Sequence, residues 1–326
     1  MAICSNCYSA IQENDLVLSC VDKAPMHKEC ANKCPSCGGY LTDMQFARNK
    51  CKCVTQIHSS LEVVRRSHIE LYKQCPYAFY LECIKEVQQE NNAYALHGII
   101  LHEIFDKYSY EDEISKDVLT SEFMQRFTSE VPRTHYSFED KPELYDQLIE
   151  RGLNAVDSFI SFHSNTGKPF VTEENITFSL REDLPKVSIT MDRVDQDEDG
   201  ELHMLDYKCG KTFTGSKLSE DLQVPLYCLA LEKQYGKLPK SFTFLFVSQG
   251  AERKYTLQEN RSYVCTVRKK DYTIQVDERA DFVMGILNAI KEEQFSQKCN
   301  NAWHCNNMCY YNKKGICEGG NTGWHL

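Results

Sequence analysis

Met191-Asp-Arg-Val-Asp195, followed after a turn by Leu205-Asp-Tyr-Lys-Cys-Gly-Lys211, decides how this chain is read. Residues 187–194 and 202–207 alternate as strands do, and Asp197-Glu-Asp-Gly200 between them is rich in turn formers, which predicts a hairpin. Period-two alternation puts Asp206 and Lys208 on one face, with Asp192 near the end of the partner strand. Two carboxylates and an ammonium converging there suit a hard divalent cation, Mg²⁺ or Mn²⁺. Such an ion activates water and neutralises charge on a phosphodiester, while Lys208 would place that water or stabilise the developing charge. Taken alone, Asp-x-Lys on a strand is more often a solvated face, and Asp195 reads as a hairpin or salt-bridge residue.

Outward from the hairpin, apolar residues at three- and four-residue spacing predict helices over 61–81, broken near Pro76, and over 95–108. A mostly helical stretch covers 119–162, and a further strand 175–180. A helix over 218–235 with a kink at Pro225 follows, then strands over 242–247, 263–268 and 272–276, and a last helix over 277–293. This order predicts an α/β fold, a mixed central sheet flanked by helices with a helical insertion. There are no internal repeats.

Two more features join the acidic pair. In Ala95-Leu-His-Gly-Ile-Ile-Leu-His-Glu103, His102 follows Gly98 by four residues on a largely apolar helix, where a lone histidine is usually packing. In Asp221-Leu-Gln-Val-Pro-Leu-Tyr227, Gln223 and Tyr227 share a helical face one turn apart. In this order, Gly-x-x-x-His, Asp-Arg-x-Asp, Asp-Tyr-Lys-x-Gly-Lys and Gln-x-x-x-Tyr resemble the RecB-like branch of the PD-(D/E)XK nucleases, over roughly residues 65–317. The resemblance implies a restriction-endonuclease-like core, with His102, Asp192 and Asp206 as metal ligands and Lys208 as the catalytic lysine. It further implies Gln223 and Tyr227 as DNA-facing supports. Two departures stand out: Ile189 or Thr190 where a small residue is expected, and Asp206 where many relatives carry Glu. Neither removes a required chemical group.

Seventeen cysteines in a chain with no secretory signal point to metals before disulfides. Eight lie in the first 53 residues and four between 299 and 317. Cys75, in Tyr72-Lys-Gln-Cys-Pro-Tyr77, and the late Cys305, Cys309 and Cys317 resemble the iron–sulfur subset of the same nucleases. The resemblance implies a [4Fe–4S] cluster on these four thiolates, with Cys299 able to replace Cys305. Zinc in the same site is the alternative, because thiolates alone do not choose the metal. Cys83, Cys209, Cys228 and Cys265 read as small buried hydrophobes.

At the front, Cys4-x-x-Cys7, Cys20, His27-x-x-Cys30 and Cys34-x-x-Cys37 form a zinc signature. Their order resembles a RING- or PHD-like cross-brace, with Cys4, Cys7, His27 and Cys30 on one Zn²⁺. Cys20, Cys34, Cys37 and an eighth ligand (Asp22, Cys51 or Cys53) would take a second. A single zinc on Cys4, Cys7, Cys34 and Cys37 is the other arrangement. The predicted organisation is a zinc-binding module over 1–55 and a nuclease domain with an iron–sulfur staple over 56–326.

A net charge of −10 lacks the basic footprint of most nucleic-acid binders, yet the acid is local, in 139–146 and 195–201. Arg65–Arg66 and Arg268–Lys270 form short basic runs. No apolar run reaches membrane-spanning length, so a cytoplasmic protein of a prokaryotic, phage or viral host is expected. Single-stranded DNA or DNA ends are the expected substrate, cut by exonuclease action in recombination, repair or defence. The rival readings are a catalytically silent scaffold that grips DNA ends and a ubiquitin ligase or adaptor built on the zinc module. A protein partner would dock through that module.

Overall fold

In the computed structural model, which describes residues 2–4, 6–7, 9–12, 15–18, 25–33, 40–41, 61–87, 89, 91–296, 299–307 and 309–317, the front segment contributes short strands paired in twos. β1 (Ala2–Ile3) pairs with β2 (Ala10–Ile11), β3 (Leu16–Leu18) with β4 (Pro25–His27), and β5 (Asn32–Lys33) with β6 (Tyr40–Leu41). Strands of two or three residues are too short to show alternation, which is why the sequence reads as turn formers there. Cys4, Ile11 and Met26 are their small buried cluster. The chain divides into two units, one of Val63–Lys73 with Gln88–Leu287, the other of Met1–Glu62, Gln74–Val87 and Asn288–Leu326.

The first unit is built on an eight-stranded mixed sheet. Its strands are β7 (Val63–Arg65), β8 (Val171–Phe178), β9 (Lys186–Gln196), β10 (Leu202–Tyr207), β11 (Ser241–Phe246), β12 (Ala251–Leu257), β13 (Ser262–Val267) and β14 (Lys270–Gln275). They run in the order β14-β13-β12-β11-β10-β9-β7, with β8 also on β9. β11 is buried along its whole length, as expected of a strand with a parallel neighbour, β10, and helices to cover it.

β9 positions the site. β8 pairs with its residues 187–194, β10 with 193–196 and β7 with 186–188. A strand has two edges, so β10 and β7 share the edge opposite β8. Over 189–192 no described strand pairs with that edge. Asp192 lies in this opening.

Three helices, α3 (Ala93–Tyr108), α4 (Lys116–Glu130) and α5 (Glu143–Thr166), build the main core against Leu205, Tyr207, Leu245 and Val247. They follow α1 (Arg66–Gln74) and α2 (Pro76–Phe79). Phe105 stacks on Phe159 at 4.4 Å and meets Tyr207 edge-on at 5.1 Å. Gly152 of α5 lets α4 approach: a Cβ there would overlap the buried Phe123 ring. Gly152→Ala should destabilise the protein by about 1–3 kcal/mol, the usual cost of overpacking a filled core, read as a lower denaturation midpoint.

Several boundaries differ from the sequence reading. The expected helix over 61–81 begins as strand β7, becomes α1 only at Arg66, and stops at Cys75. Cys75 is extended, as a residue before proline prefers, and its Sγ accepts from the Ala78 N–H to cap α2. The helix over 218–235 is two: α6 (Lys217–Glu220) and α7 (Gln223–Tyr235). Asp221 Oδ1 caps α7 by accepting from the N–H groups of Gln223, at 2.7 Å, and Val224. Pro225 therefore sits in the first turn, where its missing N–H costs nothing. β12, Ala-Glu-Arg-Lys-Tyr-Thr-Leu, was hidden by its charged residues. A final helix, α8 (Val276–Lys291), precedes two short ones, α9 (Ala302–Asn307) and α10 (Tyr310–Lys313).

Candidate active site

At the end of β10 the chain turns away from β9 but stays with β11. The β9–β10 ladder ends at Leu205↔Arg193, whereas β10 continues beside β11 to Tyr207↔Leu245. Lys208 extends that pairing: its N–H donates to Leu245 O at 2.8 Å and its carbonyl accepts from the Val247 N–H at 3.1 Å. Asp192 Oδ2 fills the split by accepting from the Tyr207 N–H at 2.8 Å. A cavity of about 580 Å³ opens here, and His102, Glu173, Asp192, Asp206, Lys208 and Gln223 all line it.

Two groups of side chains meet in the cavity. In the first, His102 on α3 places Nδ1 3.4 Å from Asp192 Oδ2. Glu173 stands opposite Asp192 in the β8–β9 register, between the pairs Thr172↔Arg193 and Glu174↔Met191. Donor atoms of His102, Glu173 and Asp192 lie within 4.8 Å of one another. In the second, Lys208 Nζ is 2.5 Å from Asp206 Oδ2 and donates to Gln223 Oε1 at 2.9 Å. Gln223 closes the triangle by donating from Nε2 to Asp206 Oδ1.

The electrostatics separate the carboxylates. Burial opposes the charge of Asp192, but the neighbouring His102 and Lys208 hold it below the usual range. Asp206, only 2% exposed, is pushed up to about 6 by burial, with Lys208 opposing and Asp192 adding to the rise. Glu173 is pushed up to about 7, by burial and then by Asp192. Burial disfavours the imidazolium of His102, yet Asp192 raises it well above the ordinary histidine value.

The donor set fits a hard divalent cation: two carboxylates and an imidazole converge, and the crowding that holds protons on Glu173 and His102 is what a cation relieves. Those protons must leave for the ligands to bind. Mn²⁺ affinity should therefore rise as pH rises from 6 to 8, with proton release on binding. Calorimetry in two buffers of different ionisation enthalpy measures both. Affinity independent of pH would remove the triad as the binding site.

The structure brings His102, Asp192, Asp206 and Lys208 to one cavity and adds to them: Asp206 is engaged by Lys208 and Gln223, and Glu173 stands with His102 and Asp192. Gln223 and Tyr227 line the cavity on α7, but each is only 4% exposed, and Gln223 spends its amide on Asp206 and Lys208. Glu173 went unnoticed because the strand appeared to start at Asn175. Its one signal was the acidic pair Glu173-Glu174 immediately before that strand. Arg66 of the basic run is half-buried at the cavity wall. Asp195 pairs with the fully buried Arg193 at 2.8 Å.

In the other unit, Cys4, Cys7, His27 and Cys30 also lie within 4.8 Å of one another. His27 turns Nδ1 to the Cys7 Sγ at 3.4 Å and Nε2 to the Ala10 carbonyl at 3.1 Å. A carbonyl on the outer nitrogen fixes the tautomer that leaves Nδ1 free for a metal. Burial opposes the Cys4 thiolate, but the N–H groups of Cys7, His27 and Asn6 bring it down to about 6; Cys7 and Cys4 push Cys30 up to about 12. Three thiols and an imidazole suit zinc. Cys20, Asp22, Cys34, Cys37, Cys51 and Cys53 lie outside the described residues.

The late cysteines influence one another electrostatically, though they are not among the described groups whose donor atoms all lie within 4.8 Å. Burial and then Cys299 push Cys75 up to about 12. Cys305 rises to about 11 through burial, Cys299, Cys309 and Cys317. Cys299 thus faces both Cys75 and Cys305. Cys228 and Cys265 are buried, whereas Cys83 and Cys209 are half-buried and Cys209 lines the cavity that holds Asp192 and Asp206.

A family model of the PD-(D/E)XK nuclease superfamily matches residues 66–318, and the chain belongs to that superfamily. It is similar to the Gene 69 protein of Mycobacterium phage D29, 29% identical over 219 residues, 60% of this chain and 78% of that protein. Among solved structures, SSO0001 shares 13% identity over 69% of this chain and 97% of its own, with a TM-score of 0.32. Among the described residues, no helix is long and apolar enough to cross a membrane.

Proposed function

We propose that this member of the superfamily is a RecB-like, Mg²⁺- or Mn²⁺-dependent deoxyribonuclease that acts as an exonuclease on single-stranded DNA or DNA ends, in recombination, repair or defence. The convergence of His102, Glu173 and Asp192 beside the Asp206–Lys208–Gln223 triangle, in one cavity, carries the reading. His102, Glu173 and Asp192 would hold the ion, with Asp206 the next carboxylate along. A bound divalent ion supplies a water activator and positive charge against the phosphodiester being cut.

The remaining steps belong to the chain. Gln223 and Asp206 fix the Lys208 ammonium, so its charge is in place before the phosphate arrives. Lys208 then stabilises the negative charge that develops on the phosphate oxygens. The Tyr207 N–H orients Asp192, and the aromatic packing of Tyr207 on Phe105 and Phe159 holds the strand end rigid.

Around this centre we infer a zinc-binding module over 1–55, with Cys4, Cys7, His27 and Cys30 on Zn²⁺, that docks DNA or a protein partner. The nuclease domain over 56–326 would carry a [4Fe–4S] cluster on Cys75, Cys305, Cys309 and Cys317, with Cys299 the alternative to Cys305. The mutual electrostatic influence of Cys75, Cys299, Cys305, Cys309 and Cys317 supports a shared thiolate site. Incubating anaerobically purified protein and Mn²⁺ with 5′- and 3′-labelled single- and double-stranded oligonucleotides tests the activity. Progressive shortening from one end is expected; intact DNA under all metals would overturn the reading.

A further inference from the structure

We propose that a second cavity, beside the catalytic one, is a subsite for a phosphate of the DNA strand adjacent to the one being cut, held by Arg66 and Lys217. The proposal rests on the nuclease reading above and says where its substrate runs. The second cavity has a volume of about 400 Å³ and shares Arg66, Lys208 and Gln223 with the first, so a strand lying in one continues into the other. Lys73, Phe213 and Lys217 complete its basic and aromatic side.

Arg66 is the first observation. It is half-buried between the two cavities, and among the described residues its guanidinium makes no ion pair and no hydrogen bond. A guanidinium carries five N–H donors in a planar fork; Tyr227, Asp206, Asp221 and Glu70 favour its charge through space, but among the described residues none of the donors is hydrogen-bonded. The fork matches the oxygens of a phosphate.

Lys217 is the second. Its Nζ sits 3.9 Å from the centre of the Phe213 ring. Phe213 is held edge-on by Phe244 and Phe246, at 5.0 and 5.1 Å, on the strand that also carries the register of Asp206. The ring thus fixes the ammonium at the cavity wall without consuming its hydrogen-bond donors. It also covers one face of Phe213, which favours a phosphate over a stacked base as the occupant.

Glu70 and Asp221 attract both cations through space, but neither stands at ion-pair distance from Arg66 or Lys217. Glu70 faces Lys73 at 3.8 Å, Asp221 caps α7, and Glu220 stands exposed at the rim. A phosphodiester within the strand and a terminal phosphate monoester both present anionic non-bridging oxygens, and the substrate ends separate them.

The test measures KM and kcat of the full-length protein with Mn²⁺ on single-stranded oligonucleotides bearing 5′-hydroxyl, 5′-phosphate or 3′-phosphate ends. Lys217→Ala, Arg66→Gln and Phe213→Leu are compared with the exposed control Lys254→Ala. Lys217→Ala is expected to raise KM roughly tenfold, the loss of one charged contact, and more than it lowers kcat. The slope of log affinity against log salt should fall by about 0.7, one phosphate contact on a single strand. Phe213→Leu should move both quantities the same way, by less. Equal losses on all three oligonucleotides assign an internal phosphodiester, and losses confined to a phosphorylated end assign the terminal group. Wild-type KM and salt slope in both Lys217→Ala and Arg66→Gln would overturn the subsite while leaving the nuclease standing. Intact DNA with the wild type would instead defeat the nuclease reading, and cleavage that survives Asp206→Ala would defeat the assigned site.

Discussion

Lys208→Ala is expected to lower the single-turnover cleavage rate by roughly 10²–10³-fold, the usual loss when one preorganised electrostatic group is removed from a reacting phosphate or carbonyl. The protein should remain folded. Asp206 is nearly fully buried and already pushed up to about 6, so losing the ammonium at 2.5 Å leaves a carboxyl that takes a proton instead of a bare buried charge. Circular dichroism of the variant separates the two losses. A rate within threefold of wild type would mean that the ammonium serves only to neutralise Asp206.

The second large effect is expected at Cys75. Cys75→Ser should remove the iron and its visible absorbance from anaerobically purified protein, and lower stability. Cys75 and Cys305 are separated by 230 positions, and the chain-entropy argument for a cross-link of that span gives about 5 kcal/mol. Cys309→Ser should behave alike. Cys299→Ser is the informative comparison, because Cys299 faces both Cys75 and Cys305. Retained iron in that variant favours Cys305 as the fourth ligand. Colourless protein holding zinc in these thiols would replace the cluster with the simpler metal.

The sequence made the centre of this fold legible because its signals are local. Asp192, Asp206 and Lys208 lie on two strands joined by one turn, and alternation alone predicts a shared face. The group Cys4, Cys7, His27 and Cys30 was legible for the same reason, since paired knuckles carry their own spacing. Glu173 was not, because its place beside Asp192 depends on a register with β9 that no local pattern records. β7 was absorbed into a helix because Leu61 and Val64 mimic helical spacing, and only pairing with Lys186–Ser188 makes 63–65 a strand.

Gln223 shows a subtler limit. Its spacing from Tyr227 predicts a common face but not what that face meets. Placed at the start of α7 by the Asp221 cap, its amide lies where Lys208 and Asp206 can both use it. Arg66 had the opposite fate: two adjacent arginines read as solvated surface, and only the wall between two cavities gives the second one a purpose.

The most direct test of the account is single-turnover cleavage of an end-labelled single-stranded oligonucleotide by wild type and Asp206→Ala, with Mn²⁺ and without oxygen. The account predicts a product ladder from wild type and uncut strand from a folded Asp206→Ala protein. The same ladder at the same rate from both would contradict it.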